Sequence, residues 1–341
     1  MVSSIQKSFP PLLILLYIIG QTSNLFGKTI PIDSNFETLE IGKFVEIFED
    51  TTQALSINEI IQNPHISFKP HEYKQLTVGA RRHANIWIKI PVTNHSGLNQ
   101  SLVLHTSDVF INVLTCYVTQ DSTVLNEFKS GFQESFNERI IPYTHSAFPF
   151  EILPQSKMNL FIMIDGRDDP VQFPIRLSTE QNFLSQGFTK YGLYGLFLGF
   201  LLMMVALAAV LYIANRTRLY FLYFLYALLI FLLSFSIAGF DFQYVYPNWP
   251  AAGHRAMSFW GVMTTLCLFA LIIEYYKEEN ENIRFARPIL KGLFPFGIFV
   301  SLLIVFHEQL YSLSPRRILS LDYIPMAFIG LISFFMYYSI L

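Results

Sequence analysis

The second half of the chain carries five apolar runs, and these restrict its fold more than any other feature of the sequence. A helix rising about 1.5 Å per residue needs roughly 20 apolar residues to cross about 30 Å of hydrocarbon. The runs are 192–214, 219–237, 258–275, 290–306 and 323–341, and none holds a charged side chain in its central part. Glu274 and Asp322 sit at run ends, and the fourth run is the shortest and contains Pro295. A backbone inside lipid must satisfy its own hydrogen bonds, so these runs predict a helical transmembrane bundle. Composition agrees: 52% of residues are hydrophobic and 14% are charged, a membrane-protein balance.

Lys and Arg in short loops predict orientation, since cytoplasmic loops are the richer in them. One set of loops holds Arg216, Arg218, Lys277, Arg284, Arg287 and Lys291; the other holds Arg255, Arg316 and Arg317. The first set is therefore expected inside. Residues 1–27 read as an export signal, with Lys7 before an apolar stretch that ends near Gly20. The region 21–28 lacks an A-x-A-like site, so the segment is expected to be a signal peptide or an uncleaved anchor. Both signals put the following polar region outside the cytoplasm. The expected location is a membrane, crossed several times, with the N-terminal domain outside the cytoplasm.

That region, 28–185, reads as strands separated by turns. Ile86, Ile88, Ile90 and Val92 alternate with Trp87, Lys89 and Pro91, a period of two. Pro91 within such a strand predicts an edge or a bulge. Further strands are expected at 45–48, 102–104, 110–118, 148–152, 160–164 and 173–177. Asn94 to Gly97 reads as a hairpin turn, although Asn94-His-Ser96 also has the form of a glycosylation acceptor. Ser56-Ile-Asn-Glu59 is a capping box that predicts a helix over 57–62. Many short strands with turns predict a β-sandwich. The domain organisation is thus a signal segment (1–27), a β-sandwich ectodomain (28–185) and a five-helix bundle (190–341).

Chemistry is sparse. The net charge of −2 offers no basic patch for nucleic acid. Cys116 and Cys267 fall in different halves and imply no disulfide framework. The sequence has no P-loop, nucleophile elbow, zincin motif or C-x-x-C, and its eight histidines are scattered, so no catalytic residue, metal or cofactor is assigned. The uncharged bundle argues against an ion or proton pathway. Three residues are candidates for ligand contact. Trp87 offers a face for a sugar ring, or alternatively packs against the other sheet. Arg139 offers a fork for a carboxylate, or alternatively a structural ion pair. Asp165 begins the acidic run Asp165-Gly-Arg-Asp-Asp169-Pro170, which reads as a cation site or a solvated turn. Gly192, Gly195 and Gly199 lie on one side of a helix and suit close helix packing, static or signalling. The aromatic loop 239–250 reads as an interfacial belt, or as a surface that receives the ectodomain.

The order of these features resembles the bacterial seven-transmembrane receptors with diverse intracellular signalling modules (7TM-DISM), with a type 2 extracellular domain. The resemblance rests on Phe48-Glu-Asp50, Leu76-Thr-Val-Gly79, Ile86-Trp-Ile-Lys89, Asn94 and Phe136-Asn-Glu-Arg139 in the front half. In the bundle it rests on Tyr191-Gly-Leu-Tyr-Gly195, Arg216-Thr-Arg218-Leu-Tyr220 and the Gly239, Gln243-Tyr, Pro247 loop. It implies a jelly-roll ectodomain similar to carbohydrate-binding modules, seven helices and a cytoplasmic effector such as a cyclase, kinase or phosphatase. The sequence departs by ending at Leu341, after the fifth run and without an effector, as the front part of a longer product or a truncated one would. The expected partners are the lipid bilayer, an extracytoplasmic small ligand with carbohydrate as the named class, and an effector in cis or trans. A homodimer stays open. The alternative function is a membrane transporter or an accessory subunit with a binding ectodomain; a membrane enzyme would need a catalytic constellation at the outer face.

Overall fold

The computed structural model describes residues 29–78, 84–106, 113–131, 134–165 and 171–275, with single positions at 111, 295, 297 and 299. The export segment and the runs 290–306 and 323–341 lie outside the described residues. The chain divides into two compact units. One comprises Met1–Leu104, Thr115–Glu127 and Phe150–Thr179; the other comprises His105–Leu114, Phe128–Pro149 and Glu180–Leu341.

Thirteen strands are described. They are β1 (Ile30–Ile32), β2 (Thr38–Glu40), β3 (Glu46–Asp50), β4 (Lys69–Pro70), β5 (Leu76–Val78), β6 (Asn85–Asn94), β7 (Gln100–Thr106), β8 (Leu114–Gln120), β9 (Thr123–Ser130), β10 (Ala147–Ile152), β11 (Lys157–Asp165), β12 (Val171–Phe173) and β13 (Ile175–Thr179). One sheet has the order β4-β3-β6-β11-β8-β9, with β1 also paired to β6; a second has the order β10-β7-β13-β2; β12 and β5 form a small ladder. This is a β-sandwich.

The period-two pattern of β6 explains the sandwich interior. Ile88 lies opposite Ile162 and Ile90 opposite Leu160 on antiparallel β11, and Ile47 of β3 lies opposite Ile88 on the other flank. All but Ile47 are fully buried. Each buried aliphatic of this size contributes about 1.5–3 kcal/mol, so the row dominates the first unit's core. The opposite face of β6 presents Trp87 and Lys89, paired across β11 with Met163 and Phe161.

Pro91 corrects one expectation. It lies on neither an edge nor a bulge, because β11 pairs with β6 without interruption from Lys157 to Asp165. On the other flank β3 ends its pairing at Glu46 opposite Lys89, and β1 begins at Ile30 opposite Val92. The missing N–H of Pro91 falls in the gap between those two partners, so no ladder hydrogen bond is lost. The strand expected at 173–177 is likewise two strands, broken at Pro174.

Helix α1 (Ile57–Gln62) carries the expected capping box: Ser56 accepts from the Glu59 amide, and Glu59 accepts from the Ser56 amide at 2.8 Å. In the second unit, α2 (Glu180–Asn215), α3 (Arg218–Ile237), α4 (Phe240–Tyr244) and α5 (Pro250–Tyr275) follow one another. The first apolar run is therefore part of a helix that starts twelve residues before it. A left-handed Arg216 (φ 51°) reverses the chain between α2 and α3, and Thr217 caps α3. Arg218 and Glu274, 3.7 Å apart, pair the start of α3 with the end of α5.

Three of these helices, taken as Glu180–Asn215, Arg218–Ile237 and Arg255–Tyr275, are long and apolar enough to cross a membrane. The described residues bury only 11, 11 and 22% of their most apolar windows. Water cannot favourably cover such surfaces; lipid can.

Candidate functional site

Each unit contains one locus where polar and aromatic groups gather. In the first unit it lies on the outer face of the larger sheet. Trp87 and Phe161 pack there under Ile60 of α1. The Trp87 ring is 2% exposed and stacks on Tyr117 with centroids 5.9 Å apart. Its indole N–H has no acceptor among the described residues. The Trp87 face is therefore covered by α1 and its following loop rather than by the second sheet.

Beside this cluster is a hollow of about 220 Å³. Its apolar wall is formed by Ile60, Ile61, Ile66, Phe68 and Phe161, and its polar wall by Asn63, Lys89, Thr119, Ser122 and Asn159. Lys89 is held 3.6 Å from the Glu46 carboxylate and lies over the Phe68 ring, so its charge is already balanced. Thr119 donates to the Asn159 backbone carbonyl at 2.8 Å. The Asn63 side-chain oxygen accepts from the His65 amide at 3.0 Å. At the rim, Asp121 and Ser122 both have left-handed φ, 47° and 67°. A two-residue hairpin of this hand suits the twist of β8 and β9, at a cost of about 1 kcal/mol or more for each residue that is not glycine.

The second locus, in the second unit, joins the loop after β9 to the chain between α3 and α5. Arg139 is 9% exposed and lies against two rings, 4.8 Å from the Phe136 centroid and 5.3 Å from that of Phe242. Its Nη1 donates to the carbonyls of Tyr143 (2.9 Å) and Thr144 (3.2 Å), and its Nη2 to that of Gly131 (3.5 Å); Nε has no partner. Burial lowers its pKa to about 10, so it remains a cation near neutrality. No carboxylate pairs with it among the described residues.

Tyr191 of α2 ties the same loop to the bundle. Its hydroxyl accepts from the Thr144 amide at 3.1 Å and donates to the Gln243 side chain of α4 at 3.4 Å. Lys190 donates to Nε2 of buried His145 at 3.0 Å. An ammonium has no acceptor, so that ring nitrogen accepts, and Nδ1–H donates to the Thr144 hydroxyl at 2.9 Å. Further along, Phe136 N–H donates to the Pro247 carbonyl at 2.8 Å, and Asn137 donates to the Asn248 side chain at 2.8 Å. Phe136, Phe242 and Tyr246 form one small core.

Residues 42–179 match the 7TMR-DISM extracellular 2 family, and residues 190–341 match the 7TM diverse intracellular signalling family. Together these matches cover most of the chain. The chain belongs to the 7TM-DISM family. It is therefore a membrane-receptor-like signalling module with an extracellular domain and transmembrane helices. Comparison with curated proteins finds no match. Among solved structures, a GH31 alpha-xylosidase from Xanthomonas citri matches at 9% identity with a TM-score of 0.21. That match covers 44% of this chain and 16% of the xylosidase, so the chain spans about a sixth of its length.

Trp87 belongs to the first unit and Arg139 to the second. Asp165 ends β11 opposite Asn85, and the acidic run after it lies outside the described residues. Lys89 and Asn159 are plain polar residues in the sequence that only the pairing of β6 with β11 brings to one face, and Asn63 joins them from the end of α1. Asp241, Phe242 and Gln243 fall in the aromatic loop singled out by sequence, yet nothing in that loop marks Arg139 as the neighbour of Phe242. No group of three metal-ligating side chains is present among the described residues.

Proposed function

We propose that the chain is the sensory part of a receptor that binds a small extracytoplasmic ligand, a saccharide, and passes the event through the helix bundle to a cytoplasmic effector in cis or trans. The reading places the protein in a bacterial inner membrane with the sandwich outside. The hollow on the larger sheet carries it. A volume of about 220 Å³ suits a single sugar ring. The wall supplies Phe68 and Phe161 on one side and side-chain amides and hydroxyls on the other. A sugar ring presents the same division, with an apolar C–H face and a rim of hydroxyls. Because Glu46 balances Lys89, the hollow favours a neutral ligand over a charged one.

Calorimetry of the whole chain in lipid nanodiscs against a panel of neutral mono- and disaccharides tests this. At least one sugar should give heat, and Asn159→Ala should weaken its binding about tenfold, the equivalent of about 1.4 kcal/mol for a polar contact. Absence of heat with every sugar refutes the saccharide reading. Binding unaffected by Asn159→Ala refutes the hollow.

A further inference from the structure

The outer loop between α3 and α5 contains a second buried ionisable group. Asp241, in the first turn of α4, is 5% exposed. Its carboxylate accepts from the Phe242 amide at 2.7 Å and from the Tyr246 hydroxyl. Burial raises its pKa above the usual carboxylate range. Like Arg139, it has no oppositely charged partner among the described residues. Buried charges without partners are expensive, and those of opposite sign in one small region are ordinarily paired.

What separates them is a single helical position. Arg139 rests on the ring of Phe242, the residue that follows Asp241, and consecutive residues on a helix point about 100° apart. The helix that carries both is five residues long and starts after Gly239, which has φ 76°. A left-handed glycine is a swivel that other residues adopt only with strain. Beyond the helix, the loop 135–137 grips Pro247 and Asn248 through the Phe136 amide, the Ser135 hydroxyl (3.2 and 3.1 Å) and the Asn137 amide. A short helix is thus held at one end by a swivel and at the other by a loop of the extracellular segment.

We propose that Arg139 and Asp241 are latent partners. Turning α4 about Gly239 replaces the Phe242 ring against the guanidinium with the Asp241 carboxylate, and the outer loop exchanges between these two states. The state described here has the cation on two aromatic rings and three carbonyls. The other has an ion pair, and in it the grip of Ser135 and Asn137 on Asn248 is released. The purpose of the exchange rests on the signalling reading, but its existence requires no ligand.

The test is cysteine crosslinking of the full chain in membranes. Ser135→Cys with Asn248→Cys reports the state described here, since those side chains touch at 3.1 Å and both native thiols are buried. The initial rate of disulfide formation is compared with Asp241 intact, with Asp241→Asn and with Asp241→Glu. Asn keeps an acceptor oxygen for Tyr246 but cannot form the ion pair, so its rate should rise at least twofold. Glu keeps the charge, so its rate should not rise. An Asn rate equal to or below that of the parent overturns the proposal, as does an equal rise in both variants. Because no sugar is involved, failure here leaves the calorimetric test of the saccharide reading standing, and the reverse holds too.

Discussion

Asn94 holds the end of β6 to the end of β10, and its removal should cost the first unit about 3–6 kcal/mol. The side chain is fully buried. Its amide donates to the carbonyls of Leu98 (2.9 Å), Ile152 (3.1 Å) and Leu153 (3.1 Å). Its oxygen accepts from the amide and the hydroxyl of Ser96, at 2.8 and 2.7 Å. In Asn94→Ala the contacts to Leu98 and Leu153 are only partly buried and water can replace them, at about 0.5–1 kcal/mol each. The Ile152 carbonyl and the Ser96 amide are in buried surroundings and cannot be rehydrated so easily, at about 1–2 kcal/mol each.

Asn94→Asp separates the two sides of this network. It keeps the oxygen that serves Ser96 but turns a carboxylate oxygen toward three carbonyls. At pH 7 it should be at least as destabilising as Asn94→Ala. The buried carboxyl then has a folded pKa above its unfolded value. Its protonated form adds stability that is present at low pH and lost as pH rises through the folded value. Asn94→Asp should therefore gain on Asn94→Ala as pH falls from 7 to 5.

Cys116 gives the assay. It is fully buried on β8, and burial pushes its thiol pKa above the usual range, so a maleimide reaches it only after unfolding. With Cys267 replaced by Ala, labelling of the full chain against urea reports the first unit alone. At a slope of roughly 2 kcal/mol per molar urea, the Asn94→Ala midpoint should fall by about 2 M. A fall below 0.5 M would refute the reasoning, and so would an Asn94→Asp variant more stable than Asn94→Ala at pH 7.

Two further outcomes are read with the same assay. Gly42 lies so close to the backbone of Lys74 and Tyr73 that a Cβ would overlap the Lys74 carbonyl; Gly42→Ala should lose about 2–4 kcal/mol. Gly97→Ala, with nothing within 4 Å of its Cβ, should change stability by less than about 0.5 kcal/mol. Burial opposes ionisation of Asp50, but hydrogen bonds from the Thr52 hydroxyl and from the amides of Leu55, Thr52 and Gln53 outweigh it and lower its pKa. Its contribution is thus present above the unfolded carboxylate pKa and lost as pH falls through the folded value. Asp50→Asn should flatten the acid limb of the stability curve below about pH 4; an unchanged limb would remove Asp50 from that account.

Local rules made some elements legible and left others hidden. The alternating β6, the capping box at Ser56 and the three described spans are stated directly by period, cap chemistry and length. Strand β9 leaves no signal in the sequence because Thr123, Leu125, Asn126, Glu127 and Lys129 are exposed, so no buried face imposes a pattern. The short strands β1, β2, β4 and β5 hold two or three residues each, too few for any period. Pro91 misled because a missing N–H matters only where a neighbouring strand would accept it, and the offset between β1 and β3 is a tertiary fact.

Arg139 shows the same limit at a site. Sequence offers a guanidinium two standard partners, a ligand carboxylate or a protein carboxylate, and the structure supplies three backbone carbonyls and two aromatic rings instead. Carbonyl dipoles and ring quadrupoles attract a cation without cancelling its charge. That choice keeps the loop docked while leaving a positive charge in a buried place, and an anion elsewhere in the same unit then has a reason to move. A carboxylate beside Arg139 would have made the junction a static ion pair. With Arg139 on the Phe242 ring and Asp241 one helical position away, the chain between α3 and α5 is held in one of two arrangements that a turn of about 100° exchanges.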